Sequence, residues 1–148
     1  MLYQKFETLY NQFRLRHYQS LFSRIHERSG RLSATESYSL DTIHLLGTPT
    51  IKQFAEVLGI SQPNATYKVN GLEAKGYIKR MPSGEDKREC RLAVDERFYK
   101  YYGAGYGFLQ QALEGLTERS TPEELASFET MLVRLSEIMG EDRHGSFQ

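Results

Sequence analysis

The chain has 148 residues, zero net charge at pH 7, 12% aromatic residues and one cysteine. This length suits about one domain with a real core, and the aromatic content argues against a disordered chain. The charge is spread unevenly: residues 61–91 carry seven Lys and Arg against four Asp and Glu, whereas residues 95–148 carry five against ten. A basic middle and an acidic C-terminal third indicate that one face of the protein meets an anion.

Cysteine usage and hydropathy indicate the compartment. Cys90 is the only cysteine, so an intrachain disulfide is excluded and a reducing environment fits. The sequence has no apolar run long enough to span a bilayer, and the N-terminal segment MLYQKFETLY lacks the apolar core of a signal peptide. We therefore expect a cytoplasmic protein with no membrane partner.

The predicted elements begin with a long amphipathic helix over residues 2–28, which Gly30 ends. Its apolar stripe consists of Leu2, Phe6, Leu9, Phe13, Leu21 and Ile25. Ser33 and Glu36 then form an S-x-x-E capping box, in which each residue caps the backbone of the other. This box predicts a second helix that runs to Gly47.

Two short helices separated by a turn are predicted next. Thr50 and Gln53 repeat the capping pattern for a helix that ends at Gly59. Ser61 caps the following helix, which ends at Gly76. A helix, a glycine-containing turn and a second helix are the order of a helix-turn-helix motif.

A basic hairpin and two further helices complete the chain. Strands over 77–81 and 89–94 are predicted on either side of the turn-forming segment PSGEDK. Asp95 starts a helix that runs through Leu116, and Thr121 starts a final helix. The buried stripe of this final helix is predicted to be Leu125, Phe128, Leu132, Leu135 and Ile138.

The helix after Ser61 is the candidate DNA-reading element. Its apolar residues Ala65, Val69 and Leu72 share one face, so its polar residues lie mainly elsewhere. Amide side chains can pair with adenine, a Thr methyl can touch thymine, Lys can reach guanine or phosphate, and the first N–H groups of a helix can hold a phosphate. A solvated surface has a similar composition, so the preceding helix and the basic hairpin decide in favour of DNA. The candidate DNA-binding residues are Ser61, Gln62, Asn64, Thr66, Tyr67, Lys68, Asn70, Lys79, Arg80, Lys87 and Arg88.

A longer motif covers the same segment. From Ser61 to Arg80 the chain reads S-x-x-x-A-T-x-x-V-x-x-L-E-x-x-G-x-I-x-R, and Asp86-Lys87-Arg88 follows at the hairpin tip. With these residues the chain resembles the MarR family of bacterial transcription regulators. The other matching residues are Leu32, Ser33, Glu36, Ala55, Leu58 and Leu92.

The resemblance implies a mainly α fold: a winged helix-turn-helix whose long N- and C-terminal helices form a dimerisation region. Residues 1–148 would be one regulator domain, with 1–31 and 95–140 building the dimer and 32–94 binding DNA. It also implies a recognition helix in the major groove and Arg88 in the minor groove. The chain departs from the family at Gly71, where many members carry a basic or polar residue, and a glycine there softens the helix.

We therefore expect a homodimeric, sequence-specific regulator that binds an inverted-repeat operator in double-stranded DNA and acts as a repressor. The family resemblance further implies a small organic effector between the dimerisation helices and the DNA-binding module. Phe13, His17 and Tyr38 are the candidate effector-binding residues. Two alternatives stay open: a winged-helix module that contacts proteins without binding DNA, and a thiol-based redox sensor acting through Cys90. The simpler interpretation of Cys90 is a buried structural thiol on one strand face.

Catalysis and metal binding have little support. The histidines lack paired i, i+4 spacing and have no neighbouring cysteine, so no metal site is expected. No nucleophile–base arrangement is present, and the glycines of YGAGYGF neither follow a strand nor match G-x-G-x-x-G. The sequence therefore predicts neither an enzyme nor a cofactor.

Overall fold

The computed structural model describes residues 1–26, 32–82, 84, 89–96 and 107–141. It is mainly helical, as predicted, and it forms two compact units, Met1–Tyr106 and Gly107–Gln148. In the described ranges no helix is both long and apolar enough to cross a membrane. The elements are α1 (Leu2–His26), α2 (Ala34–Leu46), α3 (Ile51–Leu58), α4 (Gln62–Ala74), β1 (Ile78–Pro82), β2 (Cys90–Val94), α5 (Gly107–Thr117) and α6 (Pro122–Glu141).

The predicted capping box starts α2. Ser33 Oγ accepts a hydrogen bond from the Glu36 N–H at 3.2 Å, and Glu36 Oε2 accepts one from the Ser33 N–H at 2.7 Å. The box satisfies two of the backbone donors that a helix start leaves without a partner. Gly47 follows the helix with φ of 83°, so the predicted end is confirmed as well.

The helix-turn-helix consists of α3, the turn at Gly59 and α4. Thr50 and Gln53 form the predicted second capping box at the start of α3. Gly59 adopts the left-handed conformation with φ of 64°, which an L side chain enters only at a cost. The Ile60 N–H donates to the Ala55 carbonyl at 3.1 Å, and this bond closes the turn.

The hairpin is an antiparallel pair, β1 with β2, in which Ile78 lies opposite Val94. Each strand begins one residue later than predicted. An isolated bridge between Thr50 and Arg91 joins β2 to the connection between α2 and α3. Cys90 is half-buried, so the prediction that it would be a buried thiol overstated its burial, because it lies at the end of its strand.

The core of the first unit lies where α2, α3, α4 and the hairpin meet. Its side chains come from all of these elements, so no two of them form the core alone. The largest fully buried side chains are Phe54, Ile43, Leu72, Leu92 and Val69. Burial of side chains of this size contributes about 1.5–3 kcal/mol each, and this contribution fixes which face of α4 points inward.

The apolar stripe of α1 is buried only toward the end of the helix. Leu21 is buried and Phe13 is half-buried, whereas Phe6 is exposed and Leu2 is 83% exposed. The side chain of Ile25 lies outside the described residues. The N-terminal half of the stripe is therefore uncovered within the single chain.

The second unit contains α5 and α6. Thr121 and Glu124 cap the start of α6, with the Thr121 N–H donating to Glu124 Oε2 at 2.9 Å, as predicted. The predicted burial of the α6 stripe is wrong for the single chain, where Leu132 is 45% and Ile138 is 58% exposed. The remaining stripe residues are at most half-buried. Helical spacing identifies a shared apolar face, but it does not say whether anything covers that face.

The helix predicted from Asp95 through Leu116 is described only in part. Its C-terminal portion is confirmed by α5, which runs from Gly107 to Thr117. Residues 97–106 lie outside the described part of the chain. The prediction that residues 1–148 form a single domain stays a prediction.

Substitution of two glycines by alanine is predicted to change the stability of the protein in opposite directions. A Cβ at Gly71 would meet its nearest neighbouring atom, Glu36 Oε1, at 4.0 Å, so Gly71→Ala should stabilise the protein by about 0.5–1 kcal/mol through helix propensity. Gly59→Ala should destabilise by about 1–2 kcal/mol because of its positive φ. Urea unfolding of both variants measures the two effects. A destabilised Gly71→Ala protein would mean that this glycine serves a close packing contact.

Candidate nucleic-acid interface

The first turn of α4 is held by its own cap. Ser61 Oγ accepts a hydrogen bond from the Asn64 N–H at 3.3 Å. Pro63 has no N–H, so the backbone donor that this turn can offer to a phosphate is that of Gln62. The hydroxyl proton of Ser61 remains available to an anion while its oxygen caps the helix.

The orientation of α4 follows from three buried residues. Ala65, Val69 and Leu72 are each 0% exposed, and their spacing places them along one stripe of the helix. Tyr67 lies on the opposite side and is 79% exposed. An aromatic ring so far from the core contributes little to folding and is available to a partner.

One side of α4 faces the hairpin. The spacing of Gln62, Thr66 and Asn70 makes them a row along this side, here called the hairpin row. Thr66 Oγ1 donates to the Gln62 carbonyl at 2.9 Å, so the side chain presents a methyl group and an acceptor. Asn70 Oδ1 accepts a hydrogen bond from Arg80 Nη2, and Arg80 Nε donates to Glu73 Oε2 at 3.0 Å.

The other side of α4 faces the start of α2. Asn64, Lys68, Gly71 and Lys75 follow one another along this side, here called the α2 row. Lys75 Nζ donates to both carboxylate oxygens of Glu36, at 2.7 and 2.8 Å. The carboxylate that caps α2 therefore also holds the C-terminal end of α4.

A cleft of about 710 Å³ lies between α4 and the N-terminal part of α2. Tyr67, Lys68 and Asn70 line it from α4, and Thr35 and Ser39 line it from α2. Three of the predicted DNA-binding residues on α4 thus line the cleft. Hydroxyl, amide and ammonium groups together can donate several hydrogen bonds to an anion.

Glu36 is the titratable group of this site with a perturbed pKa. Partial burial raises the pKa of Glu36, but hydrogen bonds from the Lys75 ammonium and from Ser33, together with the charge of Lys75, lower it by more. The result is a pKa below the ordinary value of a glutamate. The carboxylate is therefore ionised at neutral pH, and it neutralises Lys75.

The predicted hairpin cations separate into two groups. Lys79 is exposed and Arg80 is half-buried, because successive residues of a strand point to opposite faces. Only Lys79 of this pair is fully available to DNA. Lys87 and Arg88, predicted at the hairpin tip, lie outside the described residues.

The candidate effector residues lie on α1 and α2. His17 Nε2 is 3.5 Å from Asp41 Oδ2, a contact that joins the two helices. Phe13 lies one helical turn before His17 and is half-buried, whereas Tyr38 on α2 is exposed. Asp41 was not among the predicted residues, because nothing in the local sequence indicates its partner. Among the described residues no group of three or more His, Cys, Asp or Glu side chains is placed to hold a metal ion.

Three residues that hold α4 were not predicted from the sequence. Glu36 was interpreted only as a capping residue, and Glu73 was noted only as one position of the family motif, with no structural role. Lys75 was not singled out. Its partner Glu36 lies 39 residues away, and Arg80 lies seven residues from Glu73 across a turn. The only local signal was a lysine, Lys75, at the C-cap position that follows α4, where a cation is favourable.

Sequence similarity to known regulators agrees with this geometry. The sequence model of the MarR family matches residues 32–90. Two similar curated proteins, YwhA and YfiV of Bacillus subtilis (strain 168), are both described as HTH-type transcriptional regulators. YwhA is 28% identical over 103 residues, covering 68% of this chain and 72% of YwhA. YfiV is 32% identical over 78 residues, covering 53% of this chain and 49% of YfiV.

The fold is also similar to solved structures. FabT of Streptococcus pneumoniae, solved in complex with DNA, superposes with a TM-score of 0.60 at 24% identity. The match covers 94% of this chain and 98% of FabT. At this identity the likeness establishes the winged-helix fold.

The contact between Glu36 and Lys75 predicts a dependence of stability on pH. Because the folded-state pKa of Glu36 is lowered, its contribution is present above the unfolded-state pKa of about 4.3 and is lost as pH falls through the folded value. Glu36→Gln keeps a capping side chain and removes the charge. At pH 7 the free energy of unfolding of the wild-type protein should exceed that of this variant by less than about 1 kcal/mol.

Urea unfolding between pH 7 and pH 3.5 measures that difference. The gap between the two proteins should be constant above about pH 5.5 and should narrow on acidification. Lys75→Met provides the matched control from the other partner. A gap that persists unchanged at the acidic end would show that the ion pair does not supply it.

Proposed function

The sequence model of the MarR family matches residues 32–90, and from this similarity we propose that the chain is a regulator of that family, which binds an inverted-repeat operator as a homodimer and represses by blocking the promoter. The observation that carries the proposal is the outward side of α4. Tyr67 and the two polar rows point away from a core that holds only Ala65, Val69 and Leu72 of this helix.

The chemistry of that surface suits duplex DNA. The amides of Gln62 and Asn64, the methyl group of Thr66 and the ammonium of Lys68 can contact base edges or phosphates. FabT, a protein of the same fold, was solved with DNA. We assign α4 to the major groove, and the hairpin with Lys79, Lys87 and Arg88 to the flanking groove and backbone.

A second copy of the chain is proposed to cover the terminal helices. On α1, Leu2 and Phe6 are exposed, and on α6, Leu132 and Ile138 are exposed. Apolar faces of this kind at a protein surface favour an interface. A two-fold dimer would present two equivalent α4 helices, which matches an inverted repeat with half-site centres about 10 bp apart.

Regulation is proposed to come from a small organic effector. The contact between His17 and Asp41 joins α1 to α2, and α2 in turn contacts α4 through Glu36. A ligand bound beside Phe13 and His17 could therefore favour one arrangement of α1 and the DNA-binding elements over another. Such a ligand changes operator affinity only if it binds the two arrangements unequally.

We further propose that the protein is cytoplasmic, with no enzymatic activity and no cofactor, because a regulator of this family requires none. A protein-interaction module without DNA binding is the main competing hypothesis. A redox sensor acting through Cys90 is a further one, and the half-buried position of this thiol leaves it open to test with Cys90→Ser.

Salt dependence separates DNA binding from a protein-interaction role. If a dimer meets about 6–10 phosphates, its affinity for an operator selected from a random duplex pool should fall roughly 10³–10⁵-fold between 50 and 200 mM salt. Fluorescence anisotropy measures the affinity, and analytical ultracentrifugation measures the stoichiometry. Lys68→Ala should weaken binding, whereas Lys52→Ala on α3 is the matched charge control. Affinity that is flat across this range of salt would exclude the DNA-binding proposal.

Effector control can be tested on the same complex. Aromatic and fatty acids should be screened for release of the operator, and Phe13→Ala should weaken the response to any active compound. Leu15→Ala, on an exposed position of the same helix, is the control. If zinc changes operator affinity reversibly with a chelator while no organic acid does, the organic effector is the wrong proposal.

A further inference from the structure

Arg80 is held against α4 by two contacts. It belongs to the motif that ends the DNA-reading segment, and a surface arginine there would be expected to bind phosphate. Instead, Nε donates to Glu73 Oε2 at 3.0 Å and Nη2 donates to Asn70 Oδ1. The guanidinium is thus shared between two side chains that lie three residues apart on α4.

The register of the hairpin explains this position. Arg80 lies opposite Leu92 in the strand pair, and Leu92 is fully buried. Residues directly opposite each other in an antiparallel pair point to the same face. Arg80 therefore extends along the face that covers α4, whereas its neighbour Lys79 extends from the other face and is exposed.

The contact restricts what Asn70 can do. An asparagine that reads adenine uses both atoms of its amide, the oxygen to accept from N6 and the nitrogen to donate to N7. Because Asn70 Oδ1 is already bound to a cationic donor, the amide is oriented with its oxygen toward the hairpin. Arg80 uses one of the two lone pairs of Oδ1 and turns this oxygen toward the hairpin, so Nδ2 is the end of the amide turned away from Arg80, and that group only donates.

The charge of Arg80 is also committed. The carboxylate of Glu73 lies against the guanidinium, so the pair adds little net positive charge to the surface. Arg80 makes both of these contacts with α4, one to Glu73 and one to Asn70. The two contacts therefore restrain the side chain of Asn70 relative to the hairpin.

We propose that Arg80 is a positioning residue that presents Asn70 to DNA as a hydrogen-bond donor. Asn70 then recognises an acceptor atom, either a phosphate oxygen or the acceptor edge of guanine or thymine, and it does not read adenine as a bidentate pair. This inference rests on the proposed DNA-binding function. It assigns different roles to three residues that the sequence places in one class: Asn70 contacts DNA, Arg80 positions it, and Lys79 supplies charge.

The test compares two substitutions at the same position. Asn70→Asp keeps the oxygen that accepts from Arg80 but replaces the donating amide with a charged carboxylate oxygen. Asn70→Ala removes both groups. Affinity is measured on the operator selected with the wild-type protein, and it should fall in the order wild type, Asn70→Ala, Asn70→Asp. Asn70→Asp should bind at least about tenfold more weakly than wild type, because a negatively charged carboxylate then lies beside an acceptor atom of the DNA in place of a donor.

Other outcomes overturn the proposal. If Asn70→Asp binds as tightly as wild type, Asn70 serves only as a tether for Arg80. If selection with Asn70→Ala shows that a preference for adenine has disappeared at one half-site position, the amide reads adenine after all. Replacing single phosphates with neutral methylphosphonates distinguishes the two acceptor sources. If Asn70 contacts a phosphate, Asn70→Ala should no longer weaken binding to an operator that lacks the charge of that phosphate. If Asn70 contacts a base, Asn70→Ala should weaken binding to the modified and unmodified operators alike.

The role of Arg80 has its own readout. If Lys79 neutralises one phosphate, Lys79→Ala should reduce the slope of log affinity against log salt by about one. Arg80→Ala should leave that slope near the wild-type value and change the base preference at the position served by Asn70. An Arg80→Ala protein whose slope falls as much as that of Lys79→Ala would make Arg80 a phosphate-binding residue. If Arg80→Ala does not fold, the comparison at Asn70 still decides the proposal.

Binding by the wild-type protein separates failure of this inference from failure of the proposed function. If wild type shows no salt-dependent binding to any selected duplex, the proposed function itself fails, and none of the variants is then interpretable as a DNA effect. If wild type binds and the variants rank differently from the expected order, only the roles of Asn70 and Arg80 are wrong.

Discussion

The arrangement of the DNA-binding elements depends on the burial of one narrow stripe of α4. Ala65, Val69 and Leu72 have no exposed surface, so rotation of the helix about its axis would expose apolar side chains and bury amides. Burying an amide without a hydrogen-bond partner costs more free energy than the surface contacts of the helix contribute. This stripe therefore decides which residues of α4 are turned outward, before any contact with a partner forms.

Two ionic contacts then hold the helix from opposite sides. Lys75 contacts Glu36 of α2, and Arg80 of the hairpin contacts Glu73. Surface ion pairs of this kind contribute little to stability individually. Their value here is geometric, because one restrains the α2 row and the other restrains the hairpin row. Tyr67 lies between the two rows and is held by neither contact.

Local signals explain most of what the sequence predicted correctly. The boxes at Ser33 and Thr50 and the cap at Ser61 each involve residues three positions apart, so they are visible in the sequence itself. The hairpin was predicted from the alternation around a turn, and the strand bounds differ from the prediction by one residue, at both ends of β1 and at the start of β2. The contacts of Arg80 and of Lys75 could not be predicted in this way, because they join elements whose relative placement is set by the core.

Burial was the property that the sequence predicted least well. The stripe on α6 has the spacing of a buried face, yet Leu132 and Ile138 are exposed in the single chain. Spacing reports that side chains share a face, and burial requires a second surface, which one sequence does not specify. Charge was similarly ambiguous: Lys79 and Arg80 are adjacent in sequence, but the pleat of the strand gives them different environments.

The space beside Gly71 has a consequence for the placement of charge at that position. Glu36 Oε1 is the nearest atom to a side chain that would arise there, and Lys75 already binds the same carboxylate. A lysine or arginine introduced at position 71 would compete with Lys75 for Glu36, releasing one cation toward solvent while retaining the other. We therefore expect the effect of a new charge at position 71 to depend on the residues at positions 36 and 75. A glycine at 71 leaves the contact between Lys75 and Glu36 without a competing cation.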